Sequence, residues 1–372
     1  MPLPPRRHAR PQLNPALRPV WRNETTVQFG LDAERALVID GIDARRGAVL
    51  ATLNGALTRA EAIDSAVTLG MSRGDAELLL ELLSSAGALV DAAATQGPLV
   101  ARTATEREQI APDLAAWSAR WQSRERALDT LAKRDASTVA VLGAGRVGAT
   151  VAGILASAGV GALRIEDSRP MSPAAAAPGG APASTASTSR AAAALEAARQ
   201  HAPRLRTPRA DAGAPDLVVL CPDVPYVGHE LRGRLLADGV AHLLAATHEA
   251  VGVVGPLVVP GVTACLQCLD LHRVDRDPAW PLVAAQASGP GRLFDGTPVV
   301  KSSDIALATA VAAQAALVAL SFLDDATSEE SRSLAGSALE LRLGWYQWRK
   351  RSWPPHPRCG CSWAALAETM AG

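Results

Sequence analysis

The stretch "TVAVLGAGRVGATVAGILASAGVGALRIED", residues 138–167, reads as strand, glycine turn, helix, strand and acid. Gly143, Gly145 and Gly148 form G-x-G-x-x-G at the first turn. Gly143 lets the strand turn sharply. Gly145, with Ala144 beside it, lets backbone N–H groups approach a phosphate. Gly148 lets the helix pack close to the strand. The helix N-terminus adds the positive end of its dipole. Asp167 ends the second strand, 19 residues after Gly148, where such cradles hold a ribose hydroxyl. The pattern predicts a nucleotide site. Taken alone it reads as a dehydrogenase loop, and its spacing leaves NAD, FAD and ATP open.

Outward from this stretch the α/β pattern continues. "PDLVVLCPD" (215–223) is a buried strand ending in Asp223, and "VAHLLAAT" (240–247) and "VGVVGPLVV" (251–259) are two more strands. Residues 171–189, "MSPAAAAPGGAPASTASTS", are low in complexity and read as mobile. The apolar run Ile305–Phe322 is near the length that spans a bilayer. It is dominated by alanine, carries Gln314, and is followed by Asp324 and Asp325, so a buried helix is expected. His248 and Glu249 follow a strand and are read as either substrate-channel or plain loop residues. "GWYQWRKRSWPPHP" (344–357) joins Trp345, Trp348 and Trp353 to Arg349, Lys350 and Arg351. Such alternation occurs in single-stranded nucleic-acid sites, but core or dimer-interface packing is the preferred reading.

The 372 residues predict two or three domains. The 37 basic and 37 acidic residues cancel, which excludes a general electrostatic hold on nucleic acid or anionic membrane. Residues 1–19 carry prolines and arginines but no apolar signal core. They are read as a disordered arm on a cytoplasmic protein. Residues 20–95 are expected to form a small α+β domain. "TTVQFGL" (25–31) and "RALVIDG" (35–41) read as a hairpin. Helices are predicted over 44–55, 58–69 and 72–86, with Thr58 and Glu61 as a capping box and Ser72 capping the third. "GALVDA" (87–92) returns as a strand. The order resembles a winged helix and the small peptide-binding RiPP recognition element. The third helix is acidic and leucine-rich, which disfavours DNA. Residues 96–135 are read as a linker and a bridging helix (108–134), and 136–372 as the α/β domain.

There are five cysteines. Cys265 and Cys268 form C-x-x-C, and Cys359 and Cys361 form C-x-C. Two short knuckles suit tetrahedral Zn²⁺, in a closed structural site that pins the C-terminal segment to the core. A redox C-x-x-C is the rival and leaves the second pair unexplained. His272 and His356 lie near the pairs and are read as bystanders. Cys221 reads as a buried thiol.

Glycine loop, strand-end acids and split cysteine pairs together resemble the ThiF/HesA/MoeB superfamily, relatives of ubiquitin-activating enzymes, over residues 138–363. With the N-terminal unit, the chain resembles the subgroup that pairs a leader-peptide-binding domain with a ThiF domain in azole and azoline peptide biosynthesis. The resemblance implies a Rossmann-like fold with a mixed sheet and a zinc knuckle. It implies an ATP-dependent adenylyltransferase acting on a peptide or small-protein carboxylate, and a homodimer. Gly143, Ala144, Gly145, Gly148 and Asp167 would hold ATP. Asp223 would organise Mg²⁺, and Cys265, Cys268, Cys359 and Cys361 would hold Zn²⁺.

The sequence departs from that family after the second strand. The family's S-N-L-x-R-Q stretch is replaced by "SRPMSPAAAAPGGAPAST" (168–185), with no asparagine or glutamine. Arg169 lies in the area but earlier in the chain. Arg190 is the cation nearest to the family's lysine position, so Asp223 and Arg190 are the candidate catalytic pair. These losses keep a second function open: a catalytically inactive scaffold that binds a leader peptide and delivers it to a partner cyclodehydratase. An NAD-dependent oxidoreductase is the third reading, without identifiable hydride-transfer residues.

Overall fold

The structure, a computed structural model, describes residues 8–34, 36–93, 97–182, 189–209, 213–223, 226–288, 294–295 and 303–362. The chain divides into two compact units, Met1–Ala132 and Lys133–Gly372.

The first unit begins with β1 (Pro11–Leu13), β2 (Pro19–Trp21), β3 (Val27–Phe29) and β4 (Leu37–Ile39). It continues through α1 (Ala44–Thr52), α2 (Arg59–Thr68), α3 (Arg73–Ser85) and β5 (Leu89–Asp91) to α4 (Gly97–Val100), α5 (Ala104–Trp121) and α6 (Arg124–Ala136), whose last four residues belong to the second unit. The expected hairpin is β3–β4, and β2 adds a third antiparallel strand in the order β2-β3-β4. The second and third helices start where their caps predict, and Asp43 caps the first. Thr58 and Glu61 make a reciprocal capping box, and the Ser72 hydroxyl accepts from Asp75 N–H. Phe29, Ile42, Leu83 and Leu89 sit fully buried at the centre.

Two expectations fail here. Residues 8–19 are not a disordered arm: β1 pairs antiparallel with β5, and the Asp91 carboxylate accepts Ala9 and Arg10 N–H at 2.8 and 3.0 Å. "GALVDA" therefore pairs with the chain's own start rather than with the hairpin. The 108–134 helix is broken. Gln122 takes a left-handed conformation (φ 50°) that ends α5, and the Ser123 hydroxyl accepts Arg126 N–H to start α6.

The second unit runs β6 (Thr138–Leu142), α7 (Arg146–Ser157), β7 (Ala162–Glu166), α8 (Arg190–His201), β8 (Leu217–Leu220), α9 (His229–Ala237), β9 (His242–His248) and β10 (Val251–Val258). Then come α10 (Leu266–Arg276), α11 (Trp280–Ser288), α12 (Ile305–Asp324), α13 (Glu329–Arg332), β11 (Ser337–Arg342) and β12 (Trp348–Ser352). One seven-stranded mixed sheet has the order β12-β11-β10-β9-β8-β6-β7. β7, β6, β8 and β9 are parallel, and β9 to β12 form an antiparallel meander.

Strand alternation sorts the core into two layers. Val139, Val141, Leu217, Val219, Leu243 and Ala245 pack with α7 and α12. Ala140, Val218, Leu220 and Leu244 pack with α9 and α10. α12 is the one described helix long and apolar enough to span a bilayer, yet half of its apolar window is buried. A side chain on Gly252 would meet Val311 at 2.4 Å, so close is its approach to β10. The 171–189 stretch is ordered as far as it is described. Pro173–Ala175 form a 3-10 turn, Met171, Ala175 and Ala181 are buried, and Gly179 presses on Gly153 of α7. Small residues permit that contact. Residues 183–188 lie outside the described residues. Trp348 and Trp353 pack against core residues as expected, whereas Trp345 is half exposed beneath Arg349.

Candidate nucleotide site and cysteine cluster

Parallel pairing brings the C-terminal ends of β6, β7 and β8 to one edge of the sheet, the usual ligand edge of a doubly wound fold. Gly143 leaves β6 with φ +98°, and its N–H donates to Glu166 O at 2.9 Å. A Cβ there would lie 2.1 Å from Cys221 O. A Cβ on Gly148 would lie 1.8 Å from Gly143 O, so α7 sits directly on the loop. Gly145 is the N-cap of α7 and has no side chain to satisfy the first amides. A Cβ on Gly145 would stand 3.7 Å from an Asp223 oxygen and 3.8 Å from Arg190 Nη1, so both side chains face the loop.

Asp167 is buried at the end of β7, and its Oδ2 accepts Ala144 N–H at 2.9 Å. Arg169 folds back on it. Arg169 Nε donates to Oδ1 at 2.8 Å, Nη2 to Oδ2 at 2.7 Å, and the backbone N–H to Oδ1 at 3.1 Å. Arg169 Nη1 also bonds Asp223 Oδ2. Burial alone would raise the Asp167 pKa, but the Arg169 fork and the Ala144 N–H outweigh it and hold the carboxyl below its ordinary value. Arg190 stands apart. Its Nη1 is 4.0 Å from both Asp167 and Asp223, and its buried Nε has no hydrogen-bond partner. Gly143, Asp167, Arg169 and Asp223 open on a cavity of about 870 Å³ that is also lined by Ser168, Ser189, Pro222 and Tyr226. That volume suits a nucleotide-sized ligand.

The four paired cysteines converge. Cys265 is the N-cap of α10, Cys268 lies in its first turn, and Cys359 and Cys361 come from the C-terminal knuckle. Sulfur separations are 3.8 Å for Cys265–Cys268, 3.6 Å for Cys265–Cys359 and 3.4 Å for Cys268–Cys361. None is a disulfide. Four sulfurs about 2.3 Å from one tetrahedral metal are about 3.8 Å apart, so the cluster has the size of a metal site. His356 lies outside it, donating N–H to the Cys268 sulfur while its ring bonds Asp275.

A family model described as the ThiF family matches residues 121–362, well over half of the chain. The chain belongs to the ThiF family. No curated protein matches it by sequence. Solved structures match it in fold. The microcin C7 biosynthetic enzyme MccB in complex with N-formylated MccA is 12% identical, with a TM-score of 0.66, covering 95% of this chain and 99% of that one. E. coli MccB with ATP is 12% identical, with a TM-score of 0.66, covering 94% and 99%. PaaA is 14% identical, with a TM-score of 0.66, covering 91% and 98%.

Within this ThiF fold the candidate residues Gly143, Ala144, Gly145, Gly148, Asp167, Arg190 and Asp223 come together at one sheet edge. Cys221 also lies there, and burial pushes its thiol up to about 12. His248 and Glu249 are not among the residues lining the cavity; Glu249 makes the tight β9–β10 turn with φ 50°. Arg169 lies early in the chain for the family's arginine, yet its side chain spans both acids. Arg146, the sole charge inside the glycine loop, braces its surroundings: its Nε donates to Ala174 O at 2.9 Å and its Nη1 bonds Ser303 O.

Proposed function

We propose that this ThiF-family protein is an ATP-dependent adenylyltransferase that activates a peptide or small-protein carboxylate. The observation that carries the reading is the cradle itself. Gly143 and Gly148 leave no room for a side chain, the α7 N-terminus is uncapped, and Arg190, 4.0 Å from both acids and with its Nε unbonded, faces the glycine loop. An uncapped helix end and a neighbouring arginine cation suit a polyphosphate. Gly143, Ala144, Gly145 and Gly148 would hold the phosphates, Asp167 the ribose and Asp223 a Mg²⁺ ion. Bound Mg²⁺ would supply charge neutralisation while the peptide carboxylate displaces pyrophosphate from ATP. Arg190 would offset the negative charge gathered there.

The cysteine cluster would hold Zn²⁺ as a closed structural site, because four sulfurs leave no open position. The peptide would dock on the first unit, where the β2-β3-β4 sheet offers outer strands for an added strand. The fold likeness to MccB, which was solved with the peptide MccA, supports a peptide partner. A homodimer belongs to this reading by family resemblance, and a partner cyclodehydratase to the scaffold alternative. One observation favours the alternative scaffold: Arg169 already occupies both acids.

ATP–pyrophosphate exchange with purified protein and candidate peptides separates the two. Peptide-dependent exchange is expected for the enzyme. ATP binding without exchange for any peptide supports the scaffold.

A further inference from the structure

Asp167 is saturated. A carboxylate has about four lone-pair sites, and its Oδ1 accepts Arg169 N–H and Nε while its Oδ2 accepts Ala144 N–H and Arg169 Nη2. Two of these four bonds come from backbone amides that the fold fixes. The other two come from the Arg169 fork, one on each oxygen. A ribose 2′,3′-diol needs those same two places. The third guanidinium nitrogen, Nη1, holds Asp223, so one side chain closes both the sugar acid and the metal acid.

We propose that Arg169 is the guard and phosphate-sensing residue of the nucleotide site, admitting a nucleoside triphosphate and rejecting a nucleoside. The proposal rests on the nucleotide reading above. A ribose reaches Asp167 only when the fork lets go. A free nucleoside gives the displaced guanidinium nothing in return, and loss of a bidentate ion pair is costly. A triphosphate on the Gly143–Gly145 loop offers the same cation a new anion within the cavity that Arg169 already lines. Release also takes the Arg169 guanidinium off Asp223, so sugar, phosphate and metal binding are coupled through one residue. The neighbouring charges are consistent with this exchange. Arg190 sits 4.0 Å from both acids and remains to neutralise them when Arg169 leaves. The backbone supports the fold-back: Arg169 O accepts Arg190 N–H at 2.8 Å and Pro170 bridges Ser189, so the residue stands at the start of α8.

The test is calorimetric titration of wild type, Arg169→Ala and Arg169→Lys with MgATP and, separately, with adenosine. In Arg169→Ala, adenosine binding is expected to tighten by roughly tenfold while MgATP binding weakens by a similar factor, the scale of one charged hydrogen bond. Lysine keeps the charge without the fork. Arg169→Lys should therefore gain adenosine affinity and keep part of the ATP affinity, and it decides the matter if the alanine variant does not fold. If wild type binds ATP but both ligands move together, or neither moves, the guard is overturned and the ATP site stands. If wild type binds no ATP, the nucleotide reading falls and the guard with it.

Discussion

At the scale of single residues, the site depends on two positions where only one side chain serves. Gly143 combines φ +98° with a carbonyl oxygen 2.1 Å from where a Cβ would stand. Gly143→Ala must therefore move the Cys221 backbone. A cost on the order of 3 kcal/mol is expected, read as a lower thermal midpoint together with lost ATP binding. Asp167 makes a pH-dependent contribution. Its folded pKa lies below its unfolded value, so its ionised form stabilises the fold above about pH 4 and that stability is lost as pH falls through the folded pKa. Asp167→Asn should be less stable than wild type at neutral pH, with the gap closing in acid. Urea midpoints measured at pH 7 and pH 3 check this; a gap that widens in acid contradicts it. The glycines and Asp167 were legible because their spacing is local. Arg169 was not, because its fold-back depends on where α8 begins, 21 residues later.

At the scale of elements, the sequence announced those whose chemistry is self-contained. Thr58 with Glu61 and Ser72 with Asp75 mark helix starts within four residues, and α2 and α3 begin there. β1 gave no such signal. It is three residues long, rich in proline on either side, and has its partner at Leu89–Asp91. The α5–α6 break was also hidden, because Gln122 is an ordinary helix former whose left-handed conformation closes α5 beside Gly87. Two elements are clamped by charge: Arg134 bonds Asp324 at the end of α12 through Nε and Nη2, both at 2.7 Å, and the pair is nearly buried. Arg134→Ala should cost roughly 2–3 kcal/mol, because it strands a partly buried carboxylate and loses a buried arginine. A denaturant midpoint close to wild type would count against that. The α10 knuckle should carry one zinc ion per chain. Cys268→Ser should lower metal content measured by mass spectrometry and loosen the C-terminal segment to proteolysis.

At the scale of the whole molecule, the mixed sheet and its ligand edge follow from patterns visible in the sequence, namely strand–helix alternation, one glycine loop and acids at strand ends. The cysteine pairs, more than 90 residues apart, carried the reading from a generic dinucleotide fold to the ThiF family. What the sequence concealed is how the charges combine. Two acids and two arginines meet at one sheet edge, with Arg169 on both acids at close range and Arg190 4.0 Å from each. Under the proposed function, that arrangement serves ATP rather than the dinucleotide its glycines first resemble. The most direct measurement is a calorimetric titration of the full chain with MgATP and, in parallel, with NAD. Saturable binding of MgATP at millimolar concentration or below, with none for NAD, is the expected result. Binding of NAD without ATP would contradict the account.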